Sequence, residues 1–164
     1  METILIINTG GTFNKRYNPL KGELQVPDDS LALDGILKYF YNLNYKTINI
    51  IHKDSLDMNN EDREEIAKLI QHSSYKKVII VHGTDTMDKT AEFLDEKIKD
   101  KCIVLTGAMV PFSIEQVEAT TNISTAIGYM LSCQRTGVYI AMHGLVNLHD
   151  KIFKNREIGV FQSK

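Results

Sequence analysis

Short apolar runs rich in β-branched residues alternate along this chain with segments of helical period. That alternation restricts it to βαβ units and a mainly parallel sheet. The runs are Thr3–Ile7, Thr47–Ile51, Lys77–Val81, Ile103–Thr106 and Val138–Met142. They are continuously apolar, which suits strands covered on both faces. Helices fill the gaps. Asp29 or Ser30 can cap one running through Tyr41, with Leu33, Ile36, Leu37 and Phe40 on one side. Asn60 opens a second, with Glu61 and Asp62 where acids favour a helix start. Met87, Ala91, Leu94 and Ile98 stripe a third, and Ile123, Ala126, Ile127 and Met130 a fourth. These stripes read as core. The expected fold class is α/β: three layers, with helices on both faces of a mainly parallel sheet. Phe13–Pro27 is expected as a long loop, and the tail after Met142 has no clear period.

No repeat, low-complexity tract or linker divides the 164 residues, a length that buries one core without disulfides or metals. Residues 1–164 are therefore expected to form a single domain. A net charge of −2 gives no electrostatic case for nucleic acid or an anionic membrane. Cys102 and Cys133 lack metal-ligand spacing and read as buried free thiols in a reducing cytosol. The N-terminus shows no cleavable leader pattern, and no run reaches the roughly 18 apolar residues of a membrane span. A cytoplasmic location is expected.

Chemistry-bearing residues gather where the strands end. The first runs into Thr9-Gly10-Gly11-Thr12 and the third into His82-Gly83-Thr84-Asp85-Thr86. Parallel sheets hold their ligands at the carboxyl ends of their strands. Glycines there allow close backbone approach, and free amides can hold an oxyanion or an anionic group. A threonine hydroxyl becomes a nucleophile once a neighbour takes its proton. Alone, the first turn also fits a capped glycine turn or a phosphate loop. The dinucleotide fingerprint is missing, since it needs G-x-G-x-x-G and an acid after the second strand. Asp85 fits either an N-cap or an acid that receives an ammonium or orients a lysine. Ser55, after the second strand, and Thr106-Gly107-Ala108-Met109-Val110-Pro111, after the fourth, reach the same edge. Four such loops make a pocket for a small polar molecule.

These segments, taken in order, resemble the bacterial-type L-asparaginases, threonine amidohydrolases whose N-terminal domain is flavodoxin- or Rossmann-like. Thr9–Thr12 is similar to the first family signature, and Val81–Met87 with Thr90-Ala91 to the second. Ser55–Asn59 is similar to the substrate loop, and Gly107–Met109 with Pro111 to the fourth segment. The resemblance covers the N-terminal domain only. The family's smaller C-terminal domain has no counterpart in these residues.

The resemblance implies hydrolysis of the L-asparagine side-chain amide to L-aspartate and ammonia, through an acyl-enzyme. Thr12 would be the nucleophile, with Tyr17 covering the site and helping to activate it. Thr84, Asp85 and a lysine would form a second catalytic group, the lysine being Lys154 or its competitor Lys151. Gly11, Ser55, Leu56, Thr84, Asp85 and Ala108 would contact the substrate. In that scheme Asp85 pairs with the substrate ammonium and Ser55 with its carboxylate. Leu56 stands where the family usually has glutamine, and Val110 where an arginine is common. No cofactor or metal is implied. A homo-oligomer, dimer or tetramer, is. The alternatives are hydrolysis of another small amide (L-glutamine, D-asparagine) or a non-catalytic binding module of the same fold.

Overall fold

A computed structural model of the chain describes residues 2–164. Its strands are β1 (Ile4–Gly10), β2 (Arg16–Asn18), β3 (Glu23–Gln25), β4 (Tyr45–Lys53), β5 (Lys77–Val81), β6 (Cys102–Thr106), β7 (Gly137–Met142), β8 (Leu145–Leu148), β9 (Ile152–Asn155) and β10 (Val160–Ser163). Its α-helices are α1 (Leu31–Leu37), α2 (Asn60–His72), α3 (Met87–Lys97) and α4 (Gln116–Ser132). The main sheet has the order β4-β1-β5-β6-β7-β8. Its first five strands are parallel, and β8 returns antiparallel along β7.

Side chains alternate across a strand, so each continuous apolar run feeds two cores. Ile4, Ile6, Ile79 and Val104 pack with Leu33 and Leu37 of α1 and Ile123 and Ile127 of α4. Leu5, Ile7, Val78 and Ile103 pack on the other face with Ile66 and Ile70 of α2 and Leu94 of α3. The α/β, three-layer expectation therefore holds. From β1 the chain crosses to β4 on one side of β1, then to β5 on the other. A crevice opens at such a switch point, beyond the carboxyl ends of the strands. The Thr12 and Thr84 turns flank it.

Four expectations are corrected. The first helix stops at Leu37, short of Tyr41. Tyr39 N–H bonds Ile36 O at 3.1 Å and Phe40 N–H bonds Leu37 O at 2.9 Å, a tightened last turn that bends the chain toward β4. The supposed loop Phe13–Pro27 contains the β2–β3 hairpin. Arg16 holds Asp29 through two bonds of 2.9 and 2.6 Å, tying that hairpin to the α1 start. β4 is longer than Thr47–Ile51 and lies at the sheet edge, half exposed rather than covered on both faces. The tail after Met142 forms β8 and the separate β9–β10 hairpin.

The end of β4 is distorted. Ile51 and His52 have φ of 74° and 55°, and the pairing with β1 shifts between Asn8 and Gly10. Left-handed backbone at a β-branched residue is a strained choice. It swings Lys53 to Ser55 against the first glycine turn, where Gly11 N–H bonds Lys53 O at 2.9 Å. Beyond that loop a capping box starts α2, as Asn59 Oδ1 accepts Asp62 N–H and Asp62 Oδ2 accepts Asn59 N–H, each at 2.9 Å. Asn59→Ala is expected to cost about 1 kcal/mol, read as a lower urea midpoint at unchanged slope. No helix among the described residues is long and apolar enough to cross a membrane.

Candidate active site

Glycines set the floor. Gly11 has φ of 74°, and a Cβ there would lie 2.5 Å from both Cα and N of Gly83. A Cβ on Gly83 would lie 2.7 Å from both Cβ and Oγ of Ser55. The loops after β1, β5 and β4 are thus stacked backbone on backbone, and no side chain larger than hydrogen fits between them. Thr12 and Thr84 follow the two touching glycines, so they stand on adjacent loops.

Ser55 is fully buried. Its Oγ accepts Asp85 N–H at 3.2 Å and Thr86 N–H at 3.3 Å, while its carbonyl takes the Thr86 hydroxyl at 2.8 Å. These bonds clamp the N-terminus of α3. Both use oxygen lone pairs of the hydroxyl, so its hydrogen is free for a carboxylate. Asp54 beside it is partly buried, which pushes its pKa up. The Lys15 ammonium and the Leu56 N–H outweigh that, and the carboxyl lies below its usual range. The Lys15–Asp54 ion pair joins the segment after Thr12 to the segment before Ser55.

Lys154 closes the group from β9. Its Nζ donates to Thr84 Oγ1 at 2.9 Å and to Asp85 Oδ1 at 2.7 Å. The lysine side chain is 9% exposed, and Asp85 is 38% exposed. Arg156, two residues on, donates to Asp85 O at 2.7 Å. With its lone pair on Lys154, the Thr84 hydroxyl donates to Met109 Sδ at 3.3 Å. Thioether sulfur is a weak acceptor, so that hydrogen is easily redirected.

Beneath the group, His82 is completely buried. Its Nδ1 faces Gly83 O at 2.7 Å and its Nε2 faces Thr90 Oγ1 at 2.9 Å. A carbonyl only accepts, so Nδ1 carries the ring hydrogen and Thr90 donates to Nε2. Thr90 Oγ1 in turn accepts Arg63 Nε at 3.1 Å. Burial drives the His82 pKa from 6.5 down to about 4, against a smaller opposing effect of the Gly83 bond. The unfolded chain therefore takes up this proton first as pH falls. Stability is complete above pH 6.5 and is lost between 6.5 and about 4, by about 3 kcal/mol. Urea midpoints at pH 7 and pH 4.5 should show a steeper loss in the wild type than in His82→Gln.

The structure brings Thr84, Asp85 and Lys154 together. It places Lys151 elsewhere, paired with Asp150 and 58% exposed. Thr12, in a 3₁₀ turn after Gly11, is partly buried, and among the described residues no hydrogen bond joins its hydroxyl to the Lys154 group. Tyr17 makes no hydrogen bond to the Thr84, Asp85 and Lys154 group among the described residues. It lies on the β2–β3 hairpin, 64% exposed. Leu56 points outward as well, 71% exposed, whereas Ala108 is fully buried. Sequence reasoning missed Arg156, and met Met109 only as part of the loop after the fourth strand. Cys102 and Cys133 are buried and free, as expected.

Fold and site together define an α/β protein whose switch-point crevice carries two alcohols, a carboxylate and a buried amine. The family model described as Asparaginase, N-terminal, matches residues 3–160, and the chain belongs to that family. It is 33% identical to the probable periplasmic L-asparaginase of Haemophilus influenzae, over 89% of this chain and 44% of that protein. It is 30% identical to the L-asparaginase of Thermococcus kodakarensis, over 98% of this chain and 50% of that protein. The solved structure of the thermostable L-asparaginase from T. kodakarensis superposes with a TM-score of 0.83, covering 98% of this chain and 51% of that one at 28% identity. A probable cytoplasmic L-asparaginase from Campylobacter jejuni gives 0.80 at 25% identity, over 99% and 53%. The chain spans about half the length of the curated relatives it matches.

Proposed function

We propose that this chain hydrolyses the side-chain amide of L-asparagine to L-aspartate and ammonia. The observation that carries the reading is Lys154 Nζ, buried and bonded to both Thr84 Oγ1 and Asp85 Oδ1. A lysine held this way can pass a proton to or from an alcohol once substrate excludes water.

In this reading Thr12 Oγ attacks the amide carbon, forming a C–O bond as its hydroxyl proton passes to the Lys154–Thr84 pair. Backbone amides of the glycine floor hold the developing oxyanion. The C–N bond then breaks, and the nitrogen leaves as ammonia after taking a proton from the Lys154–Thr84 pair. Water attacks the resulting ester and releases Thr12. Asp85, at the start of α3, receives the substrate ammonium opposite Lys154. The Ser55 hydrogen and the Ala108 loop receive the carboxylate end. Tyr17 joins this chemistry when its hairpin folds over the crevice.

Residues 1–164 act in this reading as one domain of the family's N-terminal type. Exposed Leu31, Ile114 and Val117 suit burial between copies, consistent with a homo-oligomer. Two free buried thiols suit the reducing cytoplasm. Relatives carry names of both compartments.

A coupled ammonia-release assay with L-asparagine, L-glutamine and D-asparagine tests the proposal. L-Asparagine should turn over fastest. If no amide yields ammonia while L-asparagine still raises the melting temperature, the chain is a binding module and the proposal fails.

A further inference from the structure

The hairpin that carries Lys154 is a separate two-stranded sheet, with no ladder to the main one. Two-stranded hairpins are marginal alone, so something must hold this one at the distance Thr84 requires. Ile152 and Phe161 anchor it in the core, and a polar cluster outside the proposed catalytic group fixes the strand opposite Lys154. His143 lies in the β7–β8 turn, with φ of 53°. Its Nδ1 accepts Phe161 N–H at 3.1 Å, and its Nε2 stands 3.0 Å from Glu118 Oε1. A peptide N–H only donates, so Nδ1 is bare and the ring hydrogen sits on Nε2, directed at Glu118.

Both arms lead to the site. Phe161 is the cross-strand partner of Lys154 in the β9–β10 pair. Its ring meets the His143 ring edge-on, with centroids 5.9 Å apart. Glu118, in the first turn of α4, accepts Met109 N–H at 2.8 Å and Val110 N–H at 2.9 Å. That fixes the loop whose Met109 Sδ receives the Thr84 hydroxyl. Asn122 ties turn and loop a second time, accepting His143 N–H and donating to Gly107 O, each at 2.9 Å.

The geometry points to His143 as a positioning residue that spaces the Lys154 hairpin from the Met109 loop and so sets the Lys154–Thr84 contact. Its effect on turnover rests on the asparaginase reading above; its effect on the hairpin rests on the hydrogen bonds alone.

Two variants each keep one arm. In His143→Asn the side-chain oxygen sits near the Nδ1 position and retains the Phe161 bond. In His143→Gln the amide nitrogen reaches the Nε2 position and retains Glu118. Amide hydrogen exchange and steady-state kinetics would be measured on both. His143→Gln should speed exchange of the Phe161 amide about tenfold, the effect of one net hydrogen bond, and leave Met109 and Val110 protected. Its kcat should fall about tenfold to 10²-fold at nearly constant KM, as displacement of a catalytic group predicts. His143→Asn should do the reverse, exposing Met109 and Val110 and raising KM more than it lowers kcat. Exchange that rises equally on both arms in both variants would mean general loosening and overturn the proposal. So would separated arms with wild-type kcat and KM. Separated arms in a chain that releases no ammonia would sink the asparaginase reading and leave the tether standing.

Discussion

Lys154→Met is expected to slow ammonia release from L-asparagine about 10²–10⁴-fold, the range for a positioned acid or base. Methionine keeps an unbranched apolar stem in a site where the lysine side chain is 9% exposed, so packing is preserved while the amine is lost. Asp85 is left without its partner, but at 38% exposure it can reach water and is not stranded. The fold should therefore survive, and a near-native melting curve is part of the expected result. Lys151→Met serves as the control, since that lysine is exposed and pairs with Asp150 at the surface. Combining Lys154→Met with Thr12→Ala discriminates further. Residues acting as one unit lose their contribution together, so the double variant should be little slower than the slower single one. Multiplicative losses would mean that Lys154 and Thr12 serve separate functions, and full activity in Lys154→Met would remove the basis of the proposed chemistry.

Gly11→Ala should be strongly damaging to both folding and turnover. Two physical effects coincide there. The backbone sits at φ of 74°, where a Cβ is strained, and that Cβ would meet Gly83 backbone atoms at 2.5 Å. Neither neighbour is the far end of a flexible side chain. Gly83 cannot retreat, because Ser55 lies immediately behind it. Strain of about 1–3 kcal/mol and overpacking of similar size add to about 3 kcal/mol or more. For a domain of this size that lowers the melting temperature by roughly 6–12 °C. Catalysis should fail earlier than folding, since the same shift separates Thr12 from Thr84. A Gly11→Ala protein with wild-type melting and turnover would show that the loops are not interlocked as described.

How far the sequence carried this reading depends on where each element gets its stability. β1, β5, β6 and β7 are visible because their apolar runs answer to two cores at once, a demand that the sequence must meet locally. β2 and β3 are three residues each, polar and exposed, and are held by Arg16–Asp29 and Asn18–Gln25 links that no local pattern encodes. The end of α1 was equally hidden, since no glycine or proline follows Leu37 to mark a stop. The β9–β10 hairpin left one trace, Asn155 through Gly159, with Gly159 at φ of 69°. At the site, Thr84 and Asp85 were legible as a turn at a strand end, and Lys154 through family resemblance. Glu118 and His143 were not. They are single polar residues 25 positions apart, and only the packing of α4 against the β7–β8 turn brings them within 3.0 Å.

The two left-handed residues at the end of β4 bear on attempts to make this protein hardier. Relaxing Ile51 and His52 into ordinary extended backbone would ease the sheet edge, yet it would also draw the following segment, Ser55 included, away from the glycine floor. Under the proposed function, heat tolerance and grip on the substrate carboxylate are thus opposed at one short stretch of chain. Variants selected there for endurance alone should emerge sturdier and less able to hold what they act upon.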